Sequence, residues 1–353
     1  FYRCTICRRC TQSCPMGFDH GLITRLGRYI LSLIGIVPKA LQVSVQEQLM
    51  GETHNTSKVP RAGLLDVLDF LWEELEESLG VQLEFPRDKI GGEYVFFCAV
   101  SDYLMEPDTL MGNAAVLYAA GDWDKWTIGI CNYDGINYGL FYSDWHLENI
   151  IKQLVTEVER LQGRNILIGE CGHASRAAQD FIPTFMGKEA RPVYNFMEYT
   201  LDCLRRGKIK LDPTIVTERV TYHDPCNIAR SGWIVDQPRE ILRSFVPDFV
   251  DRAPKGEDNY CCGGGGGLVS IDELHDYRME IAGKVKAEQI ERTGAELLIA
   301  PCANCKKQLK EIVEHYELPC TVMGLHDLIL RAIEIPGGRS PAERKEEAAL
   351  FAM

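Results

Sequence analysis

Hydrophobic positions along this chain change period several times, and the changes outline its elements. Leu22, Ile23, Leu26, Tyr29, Ile30, Leu31, Leu33 and Ile34 recur at helical spacing. From about Leu41 to Val59 the pattern lapses into polar, irregular sequence centred on Gly51-Glu52-Thr53-His54-Asn55-Thr56-Ser57, which reads as a linker. Gly63 to Leu79 is helical again, with Asp66, Asp69, Glu73, Glu74, Glu76 and Glu77 on a solvated face. Beyond it, short β-rich runs at Tyr94–Phe97, Trp126–Ile130 and Asn165–Ile168 surround a helical pattern from Trp145 to Leu161. Val220–His223 and Leu297–Ala300 follow, with a helical pattern from Asp272 to Arg292 between them. Strands alternating with helices imply parallel sheets covered by helices, an α/β architecture.

The alternation repeats. At an offset of 131 residues Gly163–Cys171 aligns with Gly294–Cys302 and Cys131 with Cys262; at 128, Cys98 aligns with Cys226. The copies differ in their thiols. Where the second has Cys226, the pair Cys261-Cys262, and Cys302-Ala-Asn-Cys305, the first keeps only Cys98, Cys131 and Cys171, with Ile130 and Ala174 at the other two positions. The first copy is therefore expected to be vestigial, a scaffold lending one wall to a cleft, with Cys131, Asn132 and His173 on that wall. His173 could add a fourth ligand there; a hydrogen-bonding role is the simpler reading.

Five thiols with two adjacent and two in C-x-x-C exceed what structural zinc uses, since zinc closes at four ligands. Near the start, Cys4, Cys7, Cys10, Cys14 and Pro15 form C-x2-C-x2-C-x3-C-P. In two-cluster ferredoxins three cysteines of such a run hold one cubane [4Fe–4S] cluster and the fourth serves another; Cys14 either completes the same cluster or, the preferred reading, serves a second. Because the chain begins at Phe1, a partner run is expected upstream, and Leu22–Ile34 is expected to pack over the clusters. The key cysteines lie just past strand ends, where α/β sheets place their sites. Gly263 to Gly267 permit close backbone approach, either by a cluster or by an incoming sulfur, and Gly263, Gly264 and Gly265 are candidates to cradle it with inward-turned amides. No Lys-Ser or Lys-Thr follows, so the run is not a phosphate loop. His223 and Asp224 either support the cluster and its protons or simply cap the turn before Cys226. Lys306 and Lys307 are weak candidates to offset cluster charge, and Cys203 and Cys320 are expected to be small buried hydrophobes.

The pattern C-x34-CC-x39-C-x2-C, with His223-Asp224-Pro225-Cys226 and Cys261-Cys262-Gly263, resembles the cysteine-rich CCG domain of the heterodisulfide reductase family. That resemblance implies two Rossmann-like CCG repeats with parallel sheets, preceded by part of a helical ferredoxin-type module. It also implies a non-cubane 4Fe-4S cluster on Cys226, Cys261, Cys262, Cys302 and Cys305, at which a disulfide is cleaved or formed, with His223 beside it. Within the family the arrangement most resembles the K subunit of the Dsr sulfite-reduction complex and the D subunit of heterodisulfide reductase. The implied partners are a haem-b membrane subunit, other electron-transfer subunits, and a small sulfur-carrier protein with carboxy-terminal cysteines or a heterodisulfide as substrate. More distant members suggest an alternative, a non-catalytic electron-relay subunit of a flavin-linked glycolate- or lactate-type oxidation complex.

Composition narrows the setting. A net charge of −13 with no basic stripe argues against nucleic acid as partner. The apolar stretch Tyr29–Val37 is about half of the roughly 20 residues a membrane span needs, so membrane contact is expected only through partners, at the inner face from the cytoplasm. Fourteen cysteines in C-x-x-C and CC groups of a long chain point to metal in a reducing compartment rather than disulfides. The expected layout is 1–40 partial ferredoxin-type domain, 41–92 linker and helix, 93–210 degenerate first CCG copy, 211–334 intact second copy and 335–353 tail.

Overall fold

The computed structural model describes residues 1–351. Two separate sheets, all parallel, form its frame. The first has β1 (Tyr94–Phe97), β2 (Trp126–Thr127), β3 (Asn165–Ile168) and β4 (Val193–Asn195) in the order β2-β1-β3-β4. The second has β5 (Val220–Tyr222), β6 (Leu297–Ile299) and β7 (Thr321–Met323) in the order β5-β6-β7. In register, Phe96 pairs with Leu167 in the first sheet and Thr221 with Leu298 in the second.

Alternation along these strands builds three cores, because successive side chains leave opposite faces of a sheet. Phe96 and Leu167 from the first sheet share one core with Val220, Tyr222, Leu297 and Ile299 from the second, so the copies are joined by apolar packing. Val95, Phe97, Ile166 and Ile168 face the other way, onto the helix Asp144–Arg160. On the outer side of the second sheet, Leu298 and Ala300 pack with Leu309, Ile312, Cys262, Cys302 and Cys305.

Several expectations need correction. The stretch expected to be irregular contains a helix, Lys39–Met50, with Leu41, Val45 and Gln48 buried against the first copy. Its inward face includes a polar residue, which hid the period: Gln48 donates to the Ile136 carbonyl and accepts from the Tyr138 amide at 3.0 Å. The Trp126–Ile130 strand stops at Thr127, and Ile128 bridges to Arg87 instead. The helix Pro107–Ala119 was not anticipated, since it is buried on nearly every side between the two copies and shows no amphipathic period. The run Asp272–Arg292 is helical but broken, with a wide-turned segment at Arg278–Gly283 before the regular helix Lys284–Glu291. Cys203 is buried as expected, whereas Cys320 is only partly so.

The amino-terminal helix, His20–Leu33, lies on the cysteine loop as expected, but not by its apolar stripe. It meets the cysteine loop through Gly21, Thr24, Gly27 and Arg28, while Leu22, Ile23, Leu26, Ile30 and Leu33 are exposed. The helix Arg61–Leu79 buries Leu64, Leu68, Leu71 and Leu75 and turns its acidic side to solvent, as read from the sequence.

Candidate metal centre

The second sheet delivers its cysteines from the ends of β5 and β6. After β5, the His223 amide donates to the Ile299 carbonyl at 2.7 Å, tying the two strand ends together. Asp224 then accepts both arms of Arg239, at 2.7 and 2.9 Å, and the Gly256 amide at 2.9 Å. Of its two readings, Asp224 is the residue that orients the turn, and Cys226 opens the short helix Cys226–Ala229. After β6, Cys302 caps the helix Ala303–His315, so Cys302 and Cys305, three apart, emerge on one side of its first turn. His223 is fully buried; its Nδ1 lies 3.5 Å from Asn259 while Nε2 meets no partner. One of its ring nitrogens lies within 4.8 Å of the Cys262 and Cys305 sulfurs. Burial, then the charges of Lys286 and Arg252, hold His223 well below its usual pKa, so it is neutral.

The five second-copy thiols form one connected group. Cys226 and Cys262 each contact Cys261, Cys262 lies 3.4 Å from Cys305, and Cys305 contacts Cys302. Neighbouring Cys261 holds Cys262 well below the usual thiol range, and Cys171 does the same for Cys302. A buried group of thiols in which some are stabilised as thiolates is a donor set suited to soft metal. The amides of Gly263 and Gly264 add donors toward the sulfurs of Cys261 and Cys262, at 3.4 and 3.5 Å.

The amino-terminal cysteines come directly against this group: Cys7 contacts Cys261, a neighbour 254 residues away in sequence. Burial first, then the charge of Cys7, push the Cys10 thiol up. Cys14 is apart from them, held low by the Phe18 amide and the His20 ring. Ile6 and Arg8 adopt the left-handed conformation, at φ of 55° and 61°. That is strain of the kind tolerated where a functional loop must turn sharply.

The glycine run explains how the loop reaches so close. A Cβ at Gly266 would stand 2.7 Å from the Cys4 carbonyl oxygen, and one at Gly265 would stand 3.0 Å from that of Thr5. The backbone of the amino-terminal loop is thus what meets these two glycines, a neighbour the sequence did not suggest. Two arginines that motif reading missed hold it there. Arg28, fully buried, donates to the carbonyls of Gly266 at 2.6 Å and Cys4 at 2.7 Å. Arg230 donates to Cys7, Glu257 and Asn259, each at 2.7 Å.

The first copy disperses what it keeps. Cys98 is buried near Asp102, and Cys131 lies 3.6 Å from Arg61 and takes no part in the cleft. Cys171 is the exception, because it contacts Cys302 across the join between copies, with His173 beside both. Among the described residues, no group of close ligand atoms unites Cys98, Cys131 and Cys171. Lys306 does not face the centre: it is buried against Asp102 at 3.4 Å and Thr109 at 2.5 Å. A second buried lysine, Lys286, donates to Asn259 at 3.1 Å and Gln289 at 2.7 Å; burial and then the charge of Arg252 hold its pKa well below the usual range, against the opposing pull of Cys262 and Cys261. No motif marks it, and only the fold brings it there.

Comparisons agree with this geometry. Residues 220–310 match the cysteine-rich domain family named CCG. The chain is 27% identical to the Hdr-like menaquinol oxidoreductase iron-sulfur subunit 2 of Archaeoglobus fulgidus, covering 98% of this chain and 69% of that protein. It is 26% identical to a dihydromethanophenazine:CoB--CoM heterodisulfide reductase subunit of Methanosarcina barkeri, covering 94% and 77%. It is 24% identical to the EtfAB:quinone oxidoreductase of Syntrophomonas wolfei, covering 89% of this chain and 43% of that one. These likenesses and the cysteine groups support an iron–sulfur, electron-transferring oxidoreductase role for the chain, with a CCG domain at residues 220–310. No helix among the described residues is long and apolar enough to cross a membrane.

Proposed function

We propose that this chain, with its CCG domain and its likeness to heterodisulfide-reductase-type subunits, carries electrons from the run Cys4–Cys14 to a non-cubane 4Fe-4S cluster on Cys226, Cys261, Cys262, Cys302 and Cys305, where a disulfide or trisulfide is reduced or formed. The observation that carries the reading is the unbroken series of sulfur contacts from Cys7 through Cys261 and Cys262 to Cys305 and Cys302. A bound cluster supplies one-electron steps and an iron that sulfur can approach. The chain's own residues hold it and set its surroundings. Cys4, Cys7 and Cys10 bind one cubane and Cys14 serves a second. The amides of Gly263 and Gly264 offset negative charge, while Arg28 and Arg230 keep the amino-terminal loop against the vicinal pair. Residues 93–210 and 211–334 act as the two CCG units.

The relatives' names, as subunits of quinol- and heterodisulfide-linked oxidoreductases, support electron-transfer partners. We assign to these a haem-b membrane subunit, with this chain peripheral at the cytoplasmic face. The substrate is a sulfur-carrier protein or a heterodisulfide. The test is an electron paramagnetic resonance spectrum of the oxidised protein with and without added thiol, alongside a disulfide-reduction assay. A new thiol-dependent signal with turnover supports the reading. The likeness to the EtfAB:quinone oxidoreductase favours a second reading, in which the same thiols only relay electrons within a flavin-linked oxidation complex. Full cluster loading with neither thiol signal nor disulfide turnover would select it.

A further inference from the structure

The cleft beside the second-copy thiols has a wall from the first copy, and His173 is its polar group. Its ring is 2% exposed and shares the cleft with Cys226, Cys262, Cys302 and Cys305. Phe141 meets it edge-on, with centroids 4.7 Å apart, and fixes its plane. Tyr138 donates its hydroxyl to Asn304 Oδ1 at 3.3 Å, which leaves the Asn304 amide to donate to His173 Nδ1 at 2.5 Å. An imidazole that accepts at Nδ1 carries its proton on Nε2. That N–H has no acceptor, although it is buried, and leaving such a group unpaired is costly. Gly265 borders the ring on that side, where a Cβ would stand 3.6 Å from Nε2.

We propose that His173 is a substrate-binding residue, a neutral donor whose Nε2–H receives the anionic sulfur that enters between the two copies. The inference rests on the disulfide reading above. The first copy has no complete thiol set of its own, so a donor it aims at the second copy's sulfurs is not needed to build a first-copy centre. Its natural acceptor is the leaving sulfur. When the S–S bond of a disulfide breaks, two electrons arrive singly by way of the amino-terminal run, and two protons from solvent complete two thiols. The sulfur that leaves does so as a thiolate, and His173 stabilises it without giving up its own proton. Hydrogen bonds to charged acceptors are the strong ones, so loss of this one weakens thiolate binding by about tenfold or more.

The test titrates 2-mercaptoethanol into the oxidised, cluster-loaded protein and follows the thiol-induced paramagnetic signal together with iron content. His173→Phe keeps a ring of similar size and removes the donor; His173→Gln restores an N–H near the same place. The expected result is unchanged iron and resting spectrum in both, half-saturation shifted about tenfold or more upward in His173→Phe, and partial recovery in His173→Gln. An unshifted half-saturation in a fully loaded His173→Phe overturns the proposal. So does loss of iron from both variants, which would make the ring part of the metal's own support. Absence of any thiol signal in the unsubstituted protein contradicts the disulfide reading, and the proposal falls with it.

Discussion

The two copies share a parallel sheet and differ at its edge. In the second, residues after β5 and β6 gather five sulfurs into one group, all but Cys261 buried; in the first, the aligned Cys98 and Cys131 lie apart, each engaged with ordinary neighbours. Aligned Cys171 and Cys302 nevertheless meet, because the copies face each other at the ends of β3 and β6. The part of the degraded copy that retains polar chemistry is thus the part turned toward its intact partner. Cysteines alone therefore describe a repeat poorly. What separates the copies is which residues the join between them brings together.

The largest effect we expect comes from Asp224, whose second-copy turn has no ion-paired counterpart in the first: the aligned residue is Phe96, a core residue. Asp224→Ala leaves the fully buried Arg239 with only the more exposed Asp251, and removing one partner of a buried pair costs roughly 3–5 kcal/mol. Thermal unfolding should show a drop of several degrees with loss of the second-copy centre. An unchanged melting temperature would mean that the turn is held by its backbone bonds.

A smaller effect is expected at the seam with the amino-terminal loop. Gly266 is left-handed at φ 65°, where alanine costs about 1–2 kcal/mol, and its Cβ would press on the Cys4 carbonyl. Gly266→Ala should keep iron at both centres yet weaken the magnetic interaction between them and slow electron arrival at the vicinal pair. Iron lost from the second-copy centre alone would instead assign the glycine to cluster assembly. Cys131→Ser should have the smallest effect, within about 1 kcal/mol in stability, as for substitutions away from cores and networks, and with no change in iron. A fall in iron would restore the first copy as a metal site.

How much of this could be read in advance divides along physical lines. β1, β2, β3, β5 and β6 and the five thiols were legible, because short apolar runs and cysteine spacing are local properties. β4 and β7 show no continuous apolar run, with Tyr194 and Thr321 exposed, and Lys39–Met50 hides its period behind the buried amide of Gln48. The partner of the glycine run was illegible because Gly266 meets a carbonyl 262 residues away, through Arg28. The helix His20–Leu33 misled for a related reason: its apolar stripe points outward, and its contact face is made of small residues and a buried arginine. Cys171 belonged by alignment to the vestigial copy, and only the facing of the two sheets moves it to the intact one.

The aligned cysteines allow the most direct test of the central claim, that one copy holds the metal and the other serves it. Iron and acid-labile sulfide per chain should be measured in Cys226→Ser and Cys98→Ser, two equivalent positions of the repeat. The account predicts that Cys226→Ser loses the second-copy iron while retaining that of the amino-terminal run, and that Cys98→Ser matches the unsubstituted protein. Equal losses from the two variants would contradict it.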